Sequence, residues 1–408
     1  MSSPRHGMGS ARIVVTGLGL RTALGPNRDS TWSGLLAGRV GARWLDVESG
    51  MACPKFAGYP IEGSPLCSSD QIVEATREAI ADARICLESR SIRDRVATVL
   101  GLSKGDLGSL GRMHARQLAD GAHAASFDWG VTPGGTASRV AEIWDLTGPS
   151  LAPVAACATG LVAVLRAFDL IRRGECDLAL AGAGDASLDP LVLGAFRRMG
   201  VLARLHPDEA PTLAVRPLDR TRSGFLPGEG AAVIVLERLD RALARGATIY
   251  AEVCGGAMGS DAHHLTDLDP DPTTLSGVIE RALHWSGVHP REVGHVNLHA
   301  TATRSNDPLE CAAMARVLGS RSGEVLAVAN KAQIGHTLGA AGAVELAITC
   351  LSLHHGVVPP TLNRNEPDPL CGLRTSPVAE PCLAQAALKI SLGFGGHLAA
   401  LVLKRFSA

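Results

Sequence analysis

Short apolar runs rich in β-branched residues and bounded by glycine recur along the chain, at residues 12–16, 96–102, 177–181, 231–236, 249–253, 295–298, 325–329, 388–391 and 398–403. Runs of this length and composition predict strands. Between them lie stretches whose apolar residues return at helical spacing, over 71–85, 161–173, 273–285 and 308–318. These predict amphipathic helices, and their alternation with strands predicts an α/β fold.

The pattern also repeats. A glycine-opened helical stretch spans 160–174, and another spans 342–356 with equal spacing and similar apolar positions; a thiol, Cys157, precedes the first and an imidazole, His336, the second. An internal duplication follows, with halves over 1–245 and 246–408 and a hinge over 240–248. A length of 408 residues accommodates two such halves.

Composition narrows the function classes. Lys+Arg 39 against Asp+Glu 40 gives a net charge of -1, with no positive excess to attract nucleic acid or an anionic membrane surface. Aromatics are only 3% while glycines number 46, so small residues fill the core and the backbone approaches itself closely at many points. The ten cysteines include no Cys-x-x-Cys pair, which predicts reduced thiols and a cytoplasmic location. Residues 1–10 carry no apolar h-region and read as a loose terminus, not a signal peptide. The longest uncharged stretch, 146–165, is broken by Gly148, Pro149, Pro153 and Gly160, so no membrane span is expected.

Three clusters carry candidate chemistry. Cys157 stands just before a helix, whose unpaired N–H groups and partial positive charge favour a thiolate and offer donors to an oxyanion. A lone thiol in an apolar run is ordinarily core packing, and the other nine cysteines are read that way. His299 ends a strand and is followed by Thr301, Thr303, Asp307 and Glu310; Lys331 and His336 stand ahead of the echo helix. Strand ends and helix starts meet on one rim of an α/β sheet, so thiol, imidazoles and ammonium are expected to converge. Metal is not expected, because no ligands fall at short regular spacing. The doublets His263-His264 and His354-His355 read as structural, and Gly17-x-Gly19 lacks the third glycine of a dinucleotide loop. Gly393-Phe394-Gly395-Gly396, between two strands, reads as either a plain turn or a mobile loop whose N–H groups face a ligand.

In order and spacing these fragments resemble the elongating β-ketoacyl-[acyl carrier protein] synthases of fatty-acid and polyketide assembly. The resemblance covers nearly the whole chain. It runs from Val14-Val15-Thr16-Gly17-Leu18-Gly19 through Gly148-Pro149-Ser150, Cys157-Ala158-Thr159-Gly160 and Arg216-Pro217-Leu218-Asp219 to Gly224-Phe225 and Gly228-Glu229-Gly230. It continues over Asp261-Ala262-His263-His264, residues 299–310, 331–345 and 393–396. It implies a thiolase-like fold, with two duplicated halves forming a five-layered αβαβα sandwich. It also implies Cys157 as acyl-accepting nucleophile, His299 and His336 as the pair handling malonyl, and Lys331 as a supporting cation linked to Glu310. Asp307 and Glu345 would support the site. Phe394, with Gly393, Gly395 and Gly396, would form the gate and complete the oxyanion hole, and Thr266, Thr301 and Thr303 would hold the phosphopantetheine arm of an acyl carrier protein.

By the same resemblance no cofactor is bound, and the chain forms a homodimer or pairs with a related ketosynthase. Arg197 and Arg198 are candidate contacts for an acidic carrier protein. Ala300, Arg304, Leu392 and His397-Leu398 depart from the family's usual residues, which points to altered gating or chain specificity and a specialised pathway. Two other readings share the fold: a non-catalytic chain-length-factor-like subunit, which would lack the nucleophile, and a thiolase acting on coenzyme A esters. A thiolase would carry a second cysteine in the C-terminal glycine loop, whereas Cys382 lies ahead of that loop's strand.

Overall fold

The computed structural model describes residues 11–46, 55–63, 67–120 and 128–407. The expected loose terminus over 1–10 lies outside them. Ten strands form one sheet: β1 (Ile13–Thr22), β2 (Val96–Leu102), β3 (Ser150–Leu151), β4 (Leu178–Asp185), β5 (Gly230–Arg238), β6 (Ala251–Ser260), β7 (Val293–Asn297), β8 (Leu326–Val328), β9 (Ala386–Gly393) and β10 (His397–Lys404). Every predicted strand is present. Most run longer than expected, because ladder pairing carries the strands past their apolar segments.

The duplication is explicit in the topology. The first five strands run in the order β3-β2-β4-β5-β1 and the second five in the order β8-β7-β9-β10-β6, the same sequence of places. Directions match as well: β2 is parallel to β3 and β4, and β7 to β8 and β9, with antiparallel pairing thereafter. The halves join where Ile13, Val14 and Val15 pair antiparallel with Val253, Glu252 and Ala251. The expected hinge is partly a short helix, Leu239–Ala244.

Helices complete five layers. On the outer face of the first half lie α1 (Ser68–Ala83) and α2 (Gly135–Ile143), the latter not anticipated from sequence. Between the halves lie α3 (Thr159–Arg172) and, later in the chain, the echo helix; α4 (Pro190–Arg198) follows β4. On the outer face of the second half, α5 (Thr273–Trp285) covers β6 and β10 and packs beside α6 (Asn306–Leu318). The echo helix is α7 (Ala341–His355), buried on every side from Ala341 to Leu353, as the central layer of a sandwich requires. Leu161, Val164 and Phe168 of α3 share one apolar cluster with Val344, Ile348 and Leu351 of α7.

The two central helices touch reciprocally at their starts. A Cβ on Gly160 would lie 2.6 Å from the Ala343 nitrogen, and one on Gly342 would lie 2.6 Å from the Leu161 nitrogen. Gly17 and Gly19 are equally constrained, since Cβ atoms there would meet the Ala79 and Ala75 carbonyls of α1 at 2.4 and 1.8 Å. That close helix–strand packing accounts for the Gly-x-Gly pair without any nucleotide. His354 and His355 pack on Tyr250 and Trp32 at the end of α7, the structural role expected. Among the described residues, no helix is long and apolar enough to cross a membrane.

Candidate active site

Cys157 sits on a single 3-10 turn, Ala156–Ala158, that runs directly into α3. The turn is strained, with Ala156 at φ +45. Thr159 fixes it, its Oγ1 accepting from the Ala155 N–H at 2.9 Å and donating to the Ala156 carbonyl at 2.7 Å. The end of β9 presses on the same turn: a Cβ on Gly393 would lie 2.5 Å from the Ala155 carbonyl and 3.2 Å from the Cys157 nitrogen. The Phe394 N–H faces the Cys157 thiol and favours its ionised form.

Burial pushes that thiol up to about 11, although Lys104, Lys331 and the Phe394 N–H pull it down. This corrects the expectation that the helix start would set a lowered pKa. Desolvation of the buried thiol outweighs the neighbouring charges that favour its ionised form.

His299 follows β7, and His336 follows the short helix Lys331–Ile334 by way of Gly335, at φ +72, where a Cβ would strike the Tyr59 ring at 2.5 Å. The imidazole centroids are 5.2 Å apart and the rings nearly perpendicular at 82°. Both Nδ1 atoms are sealed in the protein without a hydrogen-bond partner. Nε2 is therefore the nitrogen on the cavity side. Burial first, then the charge of Lys331, holds both imidazoles well below their ordinary range, so they are neutral at pH 7.

Lys331 is completely buried; its Nζ donates to the His299 carbonyl and to Glu345 Oε1 at 2.5 Å. It does not pair with Glu310, contrary to expectation. Glu310 instead accepts from the backbone N–H of His299 at 2.5 Å and of Ala300 at 2.7 Å, and burial raises it to about 7. Asp307 accepts from the Leu218 N–H at 2.8 Å, and burial raises it too. Ala300, where the resembling family usually has glycine, has φ +30, which explains that preference.

Cys157, His299, His336, Thr266, Thr301, Thr303, Gly393 and Phe394 all line one cavity of about 260 Å³. The structure thus brings together the thiol, both imidazoles and the threonines; Thr301 and Thr303 share a hydroxyl hydrogen bond of 2.9 Å. Lys331, Asp307, Glu310 and Glu345 stand behind this wall. Gly395 and Gly396 do not line the cavity; at φ +86 and +79 they form the turn that returns the chain to β10.

Sequence reasoning missed Lys104, which lines the cavity and donates to Asp185 at 2.8 Å, and Lys389, a second partner of Glu345 at 2.6 Å. Each left a signal: Lys104 follows β2 directly onto the active rim, and Lys389 is a lone charge inside an apolar strand. The groove holding Arg204, His264 and Arg304 shares Val201, Thr266, Thr303 and Ser305 with the cavity and forms its mouth. Arg197 is instead laid over the Phe56 ring at 3.8 Å and donates to the Lys55 carbonyl. Among the described residues no cluster of His, Cys, Asp and Glu is arranged to hold a metal.

Comparison with known proteins agrees with this geometry. Residues 68–242 match the beta-ketoacyl synthase N-terminal domain and residues 250–365 its C-terminal domain. The chain is 36% identical to the tetracenomycin polyketide synthase ketoacyl synthase alpha subunit of Streptomyces glaucescens, over 97% of each chain. It is 31% identical to 3-oxoacyl-[acyl-carrier-protein] synthase 2 of Coxiella burnetii, over 98% of this chain and 99% of that one. It superposes on the ishigamide ketosynthase/chain length factor with a TM-score of 0.87 at 31% identity, covering 98% of this chain and 100% of that one. With a thiol and two imidazoles on one cavity and this likeness along its whole length, the chain belongs to the beta-ketoacyl synthase family.

Proposed function

We propose that this protein is a β-ketoacyl-[acyl carrier protein] synthase: it condenses an acyl group held on Cys157 with malonyl-acyl carrier protein, releasing carbon dioxide. The observation that carries the reading is the convergence of Cys157, His299, His336 and the Phe394 N–H on one cavity. The Cys157 thiolate attacks the acyl thioester, the N–H groups of Cys157 and Phe394 receive the tetrahedral oxyanion, and the pantetheine thiol leaves with the proton from Cys157. Malonyl thioester then enters between the imidazoles. Its carboxylate C–C bond breaks, carbon dioxide departs, and the electron pair moves onto the thioester oxygen as an enolate held by the two Nε2–H donors. The enolate carbon attacks the acyl-Cys157 carbonyl and the C–S bond breaks. β-Ketoacyl-carrier protein is released, and Cys157 recovers a proton from solvent.

No step calls for a bound cofactor, since both substrates arrive on the phosphopantetheine of the carrier protein. We assign Thr301, Thr303 and Thr266 to that arm, and Arg204 and Arg304 at the mouth to its acidic carrier in place of Arg197. We place the division between halves at 245/246 and the protein in the cytoplasm. A dimer through β3 is consistent with the exposure of that sheet edge, where Leu151 is 41% and Val154 50% exposed just ahead of the nucleophile. A second copy or a related ketosynthase would cover it, and a carboxylate at Leu151 is expected to shift the protein toward monomer in sedimentation. A chain-length-factor role is disfavoured by the presence of Cys157 in a built site.

The test is carbon dioxide release from malonyl-carrier protein, with mass analysis of the thioester on Cys157. Release by the parent and loss of the acyl adduct in Cys157→Ala are expected. Cleavage of acetoacetyl-coenzyme A without carbon dioxide release would point to a thiolase, and an adduct surviving in Cys157→Ala would remove the nucleophile.

A further inference from the structure

Lys389 interrupts β9, whose other residues are apolar or small, and it is completely buried. Its Nζ is surrounded by oxygen: Glu345 Oε2 at 2.6 Å, the Ile390 carbonyl at 2.6 Å and the Leu298 carbonyl at 3.3 Å. The other oxygen of Glu345 takes Lys331. One buried carboxylate thus bridges two lysines; burial lowers Lys389, while Glu345 and, more weakly, Glu310 favour its charged form. Lys331 alone would suffice to pair Glu345, so the second lysine is not explained by pairing, and a buried charge needs a compensating role or environment.

What Lys389 adds is visible around His299. The peptide unit before His299 is held at its carbonyl by Lys389 and at its N–H by Glu310; the unit after it is held at its carbonyl by Lys331 and at its N–H by Glu310. Both units flanking the imidazole are gripped at each end. They enclose His299, and the second leads into Ala300 at φ +30, a conformation that persists only when its surroundings over-determine it.

We propose that Lys389 is a positioning residue for the decarboxylation step: it completes the clamp on the backbone of His299 and adds a second cation behind His299 and His336, against which the enolate forms. The inference rests on the condensing function proposed above. The imidazoles also face Lys331, Lys104 with its partner Asp185, Glu310 and Asp307 of α6, Glu345 of α7 and the Cys157 thiol. Both Lys331 and Lys389 oppose protonation of the two rings. Removing a cation makes each imidazole easier to protonate, so the neutral pair is lost at a higher pH and the acidic limb of the rate profile moves upward.

The experiment uses the full-length protein with Lys389→Met and Lys389→Ala, following carbon dioxide release from malonyl-carrier protein and, separately, acylation of Cys157. In Lys389→Met, carbon dioxide release is expected to fall at least tenfold more than acylation, and the acidic limb to move up by about one pH unit. Lys389→Ala leaves the three oxygens without their cation, so ammonium chloride should restore carbon dioxide release more than sodium chloride of equal ionic strength. Lys389→Gln, which keeps a donor without charge, serves if the methionine variant does not fold. A parallel fall in both half-reactions, with an unmoved acidic limb and no response to ammonium, overturns the proposal. If the parent itself releases no carbon dioxide, the condensing function fails instead.

Discussion

Lys104 offers the sharpest test of how the proposed nucleophile is made. The thiol of Cys157 stands at about 11, so at pH 7.5 only roughly three thiols in ten thousand are ionised. Burial sets that value, and Lys104 heads the charges that oppose it. Its Nζ lies on the cavity wall, held by Asp185 at 2.8 Å and Ser103 at 3.2 Å. Lys104→Met removes the cation and leaves Asp185 facing the thiol uncompensated. An opposite charge near a titrating group is worth about one to three pKa units, so a rise of about one unit is a conservative expectation, equivalent to ~1.4 kcal/mol. Alkylation by iodoacetamide, followed by mass spectrometry on Cys157 from pH 7 to 11, reads the thiolate directly. The variant should react about tenfold more slowly at pH 7.5, while Lys104→Arg stays near the parent. A midpoint shared by parent and methionine variant would refute the role of Lys104. A parent midpoint at or below the ordinary thiol value, about 8.5, would show that the helix start outweighs burial after all.

Other perturbations probe separate parts of the site. Gly393→Ala would force a Cβ to 2.5 Å from the Ala155 carbonyl, so the nucleophile turn must move; acylation of Cys157 is expected to drop about a hundredfold in a quench-flow assay while the thermal midpoint falls only modestly. Gly160→Ala places a Cβ 2.6 Å from the Ala343 nitrogen between the two central helices, and urea denaturation should show a loss of about 1–3 kcal/mol. Charge reversal at Arg204 and Arg304 should raise KM for carrier-protein substrates severalfold, less so at high salt, with small thioesters unaffected. An unchanged KM would move the carrier to another face.

The fold was legible wherever local pattern and tertiary role agree. The strand over 96–102 and the helix over 273–285 coincide with Val96–Leu102 and Thr273–Trp285, because apolar periodicity, glycine boundaries and burial all point the same way there. The helix Gly135–Ile143 was missed because it opens on two glycines and carries few apolar residues, so its helicity comes from packing on β2. At the site, Cys157, His299 and His336 were legible from their places at element ends. The partner of Lys331 was not: Glu310 and Glu345 are both buried carboxylates within reach by sequence, and only the fold gives one the backbone of His299 and the other the two lysines. The thiol pKa was misjudged for a related reason. A helix start is visible in a sequence, whereas the burial of the thiol beside it is not.

The same duplication that shapes the fold also assembles the chemistry. Each half sends a central helix inward from the same place in its topology, and the two helices meet at Gly160 and Gly342 with their backbones in contact. Whatever precedes each helix is therefore delivered to a common rim: a thiol from the first half, an imidazole from the second. Had the halves stayed alike, the rim would hold two thiols or two imidazoles. Because they diverged, in the proposed reaction one half presents the group that carries the acyl chain and the other the donors that receive the enolate. A substitution that widened the contact at Gly160 would then weaken condensation more than acylation, since acylation draws mainly on Cys157 and the adjoining β9 loop while condensation needs both halves in register.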